Sequence, residues 1–228
     1  MVASEAKCGL KPNVRVHEKY LLWVAFITGM SIMAIETAAL RLLTPYFGSS
    51  LLTWTNVIGV IMIALTVGYY WGGRIADKHT SERLLYILVL AAGSYMLLVP
   101  LLAKPIISVI LKTITDHPLS IFYTSLLSIL PLFVIPFIFL GMVTPYVIKL
   151  KSRQVALVGH IAGRVAACST FGSTTGIFIP ILLAMPFWGT KKTILFFALL
   201  LIVTAIIGLG KETLKPQTMY TTDTPSAL

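Results

Sequence analysis

Glu36 and Arg41 lie within a run of apolar side chains, Tyr20 to Leu43, in a chain where charge is scarce. Glu36 is the one acidic residue inside any stretch long enough to cross a bilayer. A carboxylate in hydrocarbon costs at least about 2.5 kcal/mol, so it calls for a counter-charge, a water-filled cavity or a ligand. On a helix Glu36 stands about 24 Å from Tyr20, in the outer third of the membrane. Arg41 is five residues on, which is about 140° around the axis, whereas an intrahelical pair needs a spacing of three or four. Arg41 is therefore expected to reach the interface, or a carboxyl or carbonyl on another helix. Two readings of Glu36 remain open. One is a cation or proton site facing a cavity; the other is a structural carboxyl bonded to Ser, Thr, Tyr or Trp of neighbouring helices.

Other residues could share that chemistry. Trp54 and Tyr69 offer aromatic faces to a cation if they point inward. In Gly68-Tyr-Tyr-Trp-Gly72-Gly73-Arg74-Ile-Ala-Asp77-Lys78, the glycines permit close helix approach, and Arg74 and Asp77, three apart, can pair at the membrane surface. Such a segment can latch a bundle in one of two arrangements, or serve only as a solvated topology signal. His160 and Arg164, four apart, share a helix face near an interface; they could meet an anionic group, or Arg164 could snorkel to headgroups. There is no metal-ligand spacing, Ser-His-Asp arrangement or glycine-rich nucleotide loop, so neither metal nor cofactor is expected. Cys8 and Cys168 fall in different environments and do not read as a disulfide or a redox motif.

The elements that must position these residues are membrane helices. Apolar residues make up 57% of the 228-residue chain and charged residues 11%, against roughly a quarter charged in soluble domains. The class is an all-α, polytopic integral membrane bundle. The net charge of +10 does not point to nucleic acid, because the basic residues stand in short clusters between apolar runs, as topology signals do. The first run is longer than the roughly 7–15 residues of a signal-peptide core and contains Glu36, so it reads as a true span.

Six segments suffice to cross a bilayer: Tyr20–Leu43, Leu52–Trp71, Leu84–Ala103, Leu119–Met142, Val165–Trp188 and Thr193–Leu209. Thr80-Ser81, Asp116 with Pro118, and Thr190 mark the starts of the third, fourth and sixth. Pro45 with Gly48 and Pro186 with Gly189 close the first and fifth. Pro105–Ile114 is apolar but short, and is expected to form an interfacial or re-entrant helix; if it crossed, there would be seven spans. Residues 1–19 and 211–228 read as tails around a membrane domain of 20–210, the second with no periodic apolar pattern and expected to be disordered. Six spans put twelve Lys and Arg on one side and four on the other, leaving out Arg41 and Arg164. That bias predicts both termini in the cytoplasm, with the plasma membrane as the expected location. Pro131 and Pro136 in span four, with Pro145 just beyond, predict a kinked or interrupted helix that could line a cavity. Span five and its lead-in repeat small residues every fourth position (Gly159 and Gly163, Ala162 and Ala166, Gly172 and Gly176), predicting a face for close helix packing.

The ordered run Glu36…Arg41-Leu-Leu-Thr-Pro-Tyr-Phe-Gly-Ser-Ser-Leu-Leu-Thr-Trp54-Thr-Asn-Val-Ile-Gly59, then Gly68 to Asp77, resembles the membrane domain of spermidine-synthase-like proteins, described as fused major-facilitator/spermidine-synthase proteins. Leu140-Gly-Met-Val-Thr-Pro145 and Gly159-His-Ile-Ala-Gly-Arg164…Ser169-Thr-Phe-Gly172-Ser173…Gly176 are similar to further segments of it, so the resemblance covers about residues 20–210. Gly72-Gly73-Arg74-Ile-Ala-Asp77-Lys78 is also similar to the loop signature of major-facilitator transporters. Family members typically continue into a soluble aminopropyltransferase-like domain. This sequence reaches Leu228 without one, so no aminopropyl transfer is expected of it alone. The resemblance implies a major-facilitator-half-like module, forming a homodimer to enclose a pathway, that binds or transports a small cation such as a polyamine. Glu36, Arg41, Trp54, Tyr69 and Arg164 would then contact substrate, with Gly72, Gly73, Arg74 and Asp77 as the gating loop. The alternative is a membrane anchor or regulator for a separately encoded spermidine-synthase-like subunit.

Overall fold

A computed structural model describes residues 12–113, 120–152 and 158–213 of the chain. Among these there is no strand, and six helices are long and apolar enough to span a membrane. They are α1 (Pro12–Phe47), α2 (Leu51–Lys78), α3 (Glu82–Thr113), α4 (Ser120–Ile129, passing through a π-helical stretch Leu130–Val134 into Ile135–Lys151), α5 (Val158–Ile179, passing through a π-helical stretch Pro180–Ala184 into Met185–Trp188) and α6 (Thr190–Thr213). The shortest candidate span has 22 residues, about 33 Å of helix and enough for a hydrocarbon core of about 30 Å.

The helix ends follow the local chemistry. Gly48 (φ 72°) and Gly189 (φ 78°) stop α1 and α5 in left-handed conformations that L side chains rarely adopt. Ser50 caps α2 by accepting the Thr53 N–H at 3.2 Å. α1 begins at Pro12, inside the expected N-terminal tail, and α6 runs to Thr213, past the expected start of the C-terminal one. Asp116, Pro118 and residues 214–228 lie outside the described residues.

Pro105–Ile114 is not a separate interfacial element. α3 continues unbroken through Pro100 and Pro105 to Thr113, because Ala103 and Ile107 stay buried against the bundle. Lipid also offers a freed backbone no water to turn to. The count therefore remains six. Span four is interrupted as expected: α4 widens into its π stretch at Pro131, whose carbonyl accepts the Tyr95 hydroxyl at 2.6 Å. Pro145 lies within α4, which runs on to Lys151. The second π stretch, opened by Pro180 in α5, had gone unread although its proline stands in the apolar run.

Packing organises the helices into three pairs: α1 with α5, α2 with α4, and α3 with α6. Glycine sets the first two. A Cβ on Gly172 or Gly176 would collide with the carbonyl oxygens of Phe26 and Met30 on α1, and one on Gly29 with the Ser169 carbonyl on α5. In the second pair a Cβ on Gly68 would strike the Ile138 carbonyl, one on Gly72 would lie 2.6 Å from Met142 Cα, and one on Gly141 2.8 Å from the Leu65 carbonyl oxygen. The two sets correspond position by position. Phe26, Gly29 and Met30 stand to Ser169, Gly172 and Gly176 as Ile138, Gly141 and Met142 stand to Leu65, Gly68 and Gly72. Exchanging α1 with α4, α2 with α5 and α3 with α6 thus maps the packing onto itself. Each unit has three spans, so the second crosses the membrane in the opposite sense to the first, an inverted repeat. Of the stripe expected on α5, Gly172 and Gly176 make the seam, whereas Gly159 and Gly163 face open space.

Gly172→Leu and Gly68→Leu should therefore destabilise to a similar degree, by about 1–3 kcal/mol or more from overpacking. Gly163→Leu should be nearly neutral. Unfolding of the purified variants in one detergent measures all three.

Candidate functional site

The first turns of the α1 span and the end of α6 share one face of the bundle, where the Tyr20 hydroxyl donates to the Thr204 carbonyl at 2.5 Å and Lys211 Nζ sits 4.1 Å over the Tyr20 ring. Glu36 lies on α1 beyond the glycine crossing, toward the opposite, far face. It is 7% exposed, and its Oε2 has no hydrogen-bond partner. Five residues nearer the crossing, and about 140° around the axis, the fully buried Ser31 Oγ is also unpartnered. Other buried polar groups differ. Asn56 Nδ2 donates to the Phe122 carbonyl (2.9 Å) and to Ser125 Oγ (2.8 Å), and Ser128 Oγ donates to the Thr124 carbonyl (2.7 Å). That group ties α2 to α4 and is satisfied within the fold, a role the sequence reading did not assign.

The inverted repeat gives a control for Glu36 within the same molecule. Seven residues past Gly29 stands Glu36, and seven past Gly141 stands Ile148; Ser31 likewise corresponds to Val143. The second repeat makes the same glycine crossing with apolar side chains at both positions. The packing does not require a carboxyl or a hydroxyl there.

At the other seam's matching end the side chains are joined. Asp77 Oδ1 on α2 lies 2.7 Å from Lys149 Nζ on α4. The buried Tyr146 hydroxyl donates to the His79 carbonyl and accepts the Ser81 N–H at 3.1 Å, holding the α2–α3 turn against α4. The expected Arg74–Asp77 pair does not form: Arg74 lies over the Tyr70 ring at 4.6 Å, and the lysine on the packed neighbour reaches Asp77 first. Gly72 is pressed against Met142 while Gly73 faces open space, so only the first glycine serves the close approach.

The remaining expected site residues do not converge on Glu36. Arg41 and Arg164 are exposed, and so is His160. Trp54 (49% exposed) and Tyr69 (46%) face away from the bundle core of the single chain. The physical reason is that α2 buries the opposite side, Asn56, Val57, Val60, Ala64, Gly68 and Gly72, against α4. Cys168 is a free thiol, and among the described residues no three His, Cys, Asp or Glu group to hold a metal. No family model, curated protein or solved structure matches the chain.

Tyr146→Phe, which strips both hydrogen bonds from the α2–α3 turn, should cost about 1–3 kcal/mol and speed amide exchange at Ser81. Asp77→Asn breaks an ion pair with both partners well exposed, so it should cost less than about 1 kcal/mol. Unfolding and hydrogen exchange in the same detergent separate the two.

Proposed function

We propose that this multi-pass membrane protein binds, and moves across the membrane, a small organic cation that Glu36 recognises. The observation carrying this reading is the buried, unpartnered carboxyl oxygen of Glu36 at a position where the second repeat carries the partly buried Ile148. A structural carboxyl would have the hydrogen bonds of Asn56; this one lacks them on Oε2, and hydrocarbon-depth carboxyls are held for a task. A cation supplies what the fold omits. Polyamines fit, being small and cationic, and the resemblance to spermidine-synthase-like membrane domains points the same way. With both termini in the cytoplasm, as the Lys and Arg bias predicts, Glu36 would lie in the outer part of the membrane. Two copies would wall off a pathway, and the outward aromatic faces of Trp54 and Tyr69 would then stand at the interface between copies.

Glu36→Gln should abolish polyamine-dependent stabilisation of the purified protein and polyamine uptake into proteoliposomes. Stability without ligand should not fall, and Glu36→Ile should gain about 1–3 kcal/mol by removing an unsatisfied group. Uptake that survives Glu36→Gln would refute the proposal. A loss of stability on the scale of a seam glycine would return Glu36 to a structural role.

A further inference from the structure

The repeat says more about the cation, on the reading that Glu36 is the binding group. Phe26–Gly172 and Met30–Gly176 share one offset; carried further, it brings Glu36 to the height of the π stretch Pro180–Ala184 of α5, where the wider turn ends the residue-by-residue match. The same extension of Ile138–Gly68 and Met142–Gly72 sets Ile148 level with Lys78, beside the Asp77–Lys149 pair. The corresponding ends of the two seams are therefore finished differently. In one, a lysine ammonium meets a carboxylate across the seam. In the other, Thr37 occupies the position of Lys149, Ile181, 40% exposed within the π stretch, comes nearest to that of Asp77, and the carboxyl of Glu36, with no partner on Oε2, stands next to Thr37. A π stretch leaves backbone out of the regular ladder and is frequent at functional sites.

We infer that the ligand of Glu36 is a primary ammonium group, which closes the far end of the α1–α5 seam as Lys149 closes the matching end of the α2–α4 seam. The ammonium brings three N–H donors and a compact charge, suited to a carboxyl that lacks a donor. A quaternary ammonium carries the charge without the donors, and a guanidinium requires a planar fork. The two seams would then be closed by the same chemistry, one by a residue and one by the ligand.

Thermal unfolding of the purified full chain is followed with butylammonium, spermidine, tetramethylammonium and guanidinium chlorides at equal ionic strength. Butylammonium and spermidine should raise the midpoint by about 3 °C or more near saturation, tetramethylammonium and guanidinium should not, and Glu36→Gln should remove the response. Ile181→Lys, which tethers an ammonium nearest the position of Asp77, should weaken the response to butylammonium at least ten-fold in concentration. Glu36→Gln should abolish any stabilisation that Ile181→Lys brings. Equal shifts from tetramethylammonium or guanidinium would overturn the ammonium assignment while leaving cation binding at Glu36 standing. An unaltered butylammonium response in Ile181→Lys would overturn the seam-end placement. No shift from any cation would overturn both this inference and the cation-binding reading beneath it.

Discussion

Backbone-to-backbone contact through glycine is the constraint from which the rest of this bundle follows. In a membrane, lipid is as apolar as the helix surface, so helices associate through close packing rather than through exclusion of water. Gly172 and Gly176 let α5 lie on the carbonyls of Phe26 and Met30, and Gly68 and Gly72 let α2 lie on Ile138 and Met142. Once these two crossings are set, α3 and α6 close the bundle through their own small-residue contact, with Gly93 against Ala198 and Leu201. In the α1–α5 and α2–α4 seams the register is fixed by six glycines, three in each, where an added Cβ would meet backbone. Polar residues are then free to serve other ends.

That freedom exposes the difference between the repeats. Buried polar groups do not recur between the repeats: Asn56 stands at the position of His160 and Tyr146 at that of Ala34, so partnering rather than recurrence separates them from Glu36. The polar residues that do fix contacts, Asn56 with Ser125 and Tyr146 with the α2–α3 turn, are satisfied by backbone or side-chain partners. Ser31 and Glu36 are neither repeated nor fully satisfied. A buried polar group that the other repeat does without, and that lacks a partner, is a departure from what packing alone selects, and departures of that kind are expected at functional positions.

The bundle was legible in the sequence because span length and hydropathy report directly on bilayer thickness. All six spans fall where the apolar runs place them, and Gly48 and Gly189 end helices as their flanking prolines suggest. Pro105–Ile114 misled because it is too short to span by itself, whereas α3 carries on through Pro105 as one long helix, lipid offering a freed backbone no better alternative than to continue. Glu36 was conspicuous by its type alone. Its partnerless state was not, since that depends on which face of α1 meets which neighbour. Trp54 and Tyr69 were plausible cation contacts by type, yet the glycine face of α2 decides which side turns inward, and it turns them out. The inverted repeat escaped notice because few letters match: Gly-Met at residues 29–30 and 141–142, the Gly-x-x-x-Gly of α2 and α5, and isolated identities such as Gly59 with Gly163 and Thr66 with Thr170. It becomes visible only when contacts, rather than residues, are aligned.

The two seam ends also differ in how readily they can change. The Asp77–Lys149 pair is well exposed, so its Coulomb energy is screened and it holds its seam by less than about 1 kcal/mol. The buried Tyr146 bridge carries more of the closure there. At Glu36 screening is weak, because the carboxyl is shielded from solvent, and a charge arriving there meets a low-dielectric surrounding in which each interaction counts for more. A ligand can shift an arrangement only by its differential affinity for the two states. The buried, unmatched end is where an arriving cation gains most from closure, whereas an ion added at the exposed end gains little that water does not already provide. On the proposed reading, closure around a small cation would therefore fall to the α1–α5 seam, with the α2–α4 seam as its fixed counterpart.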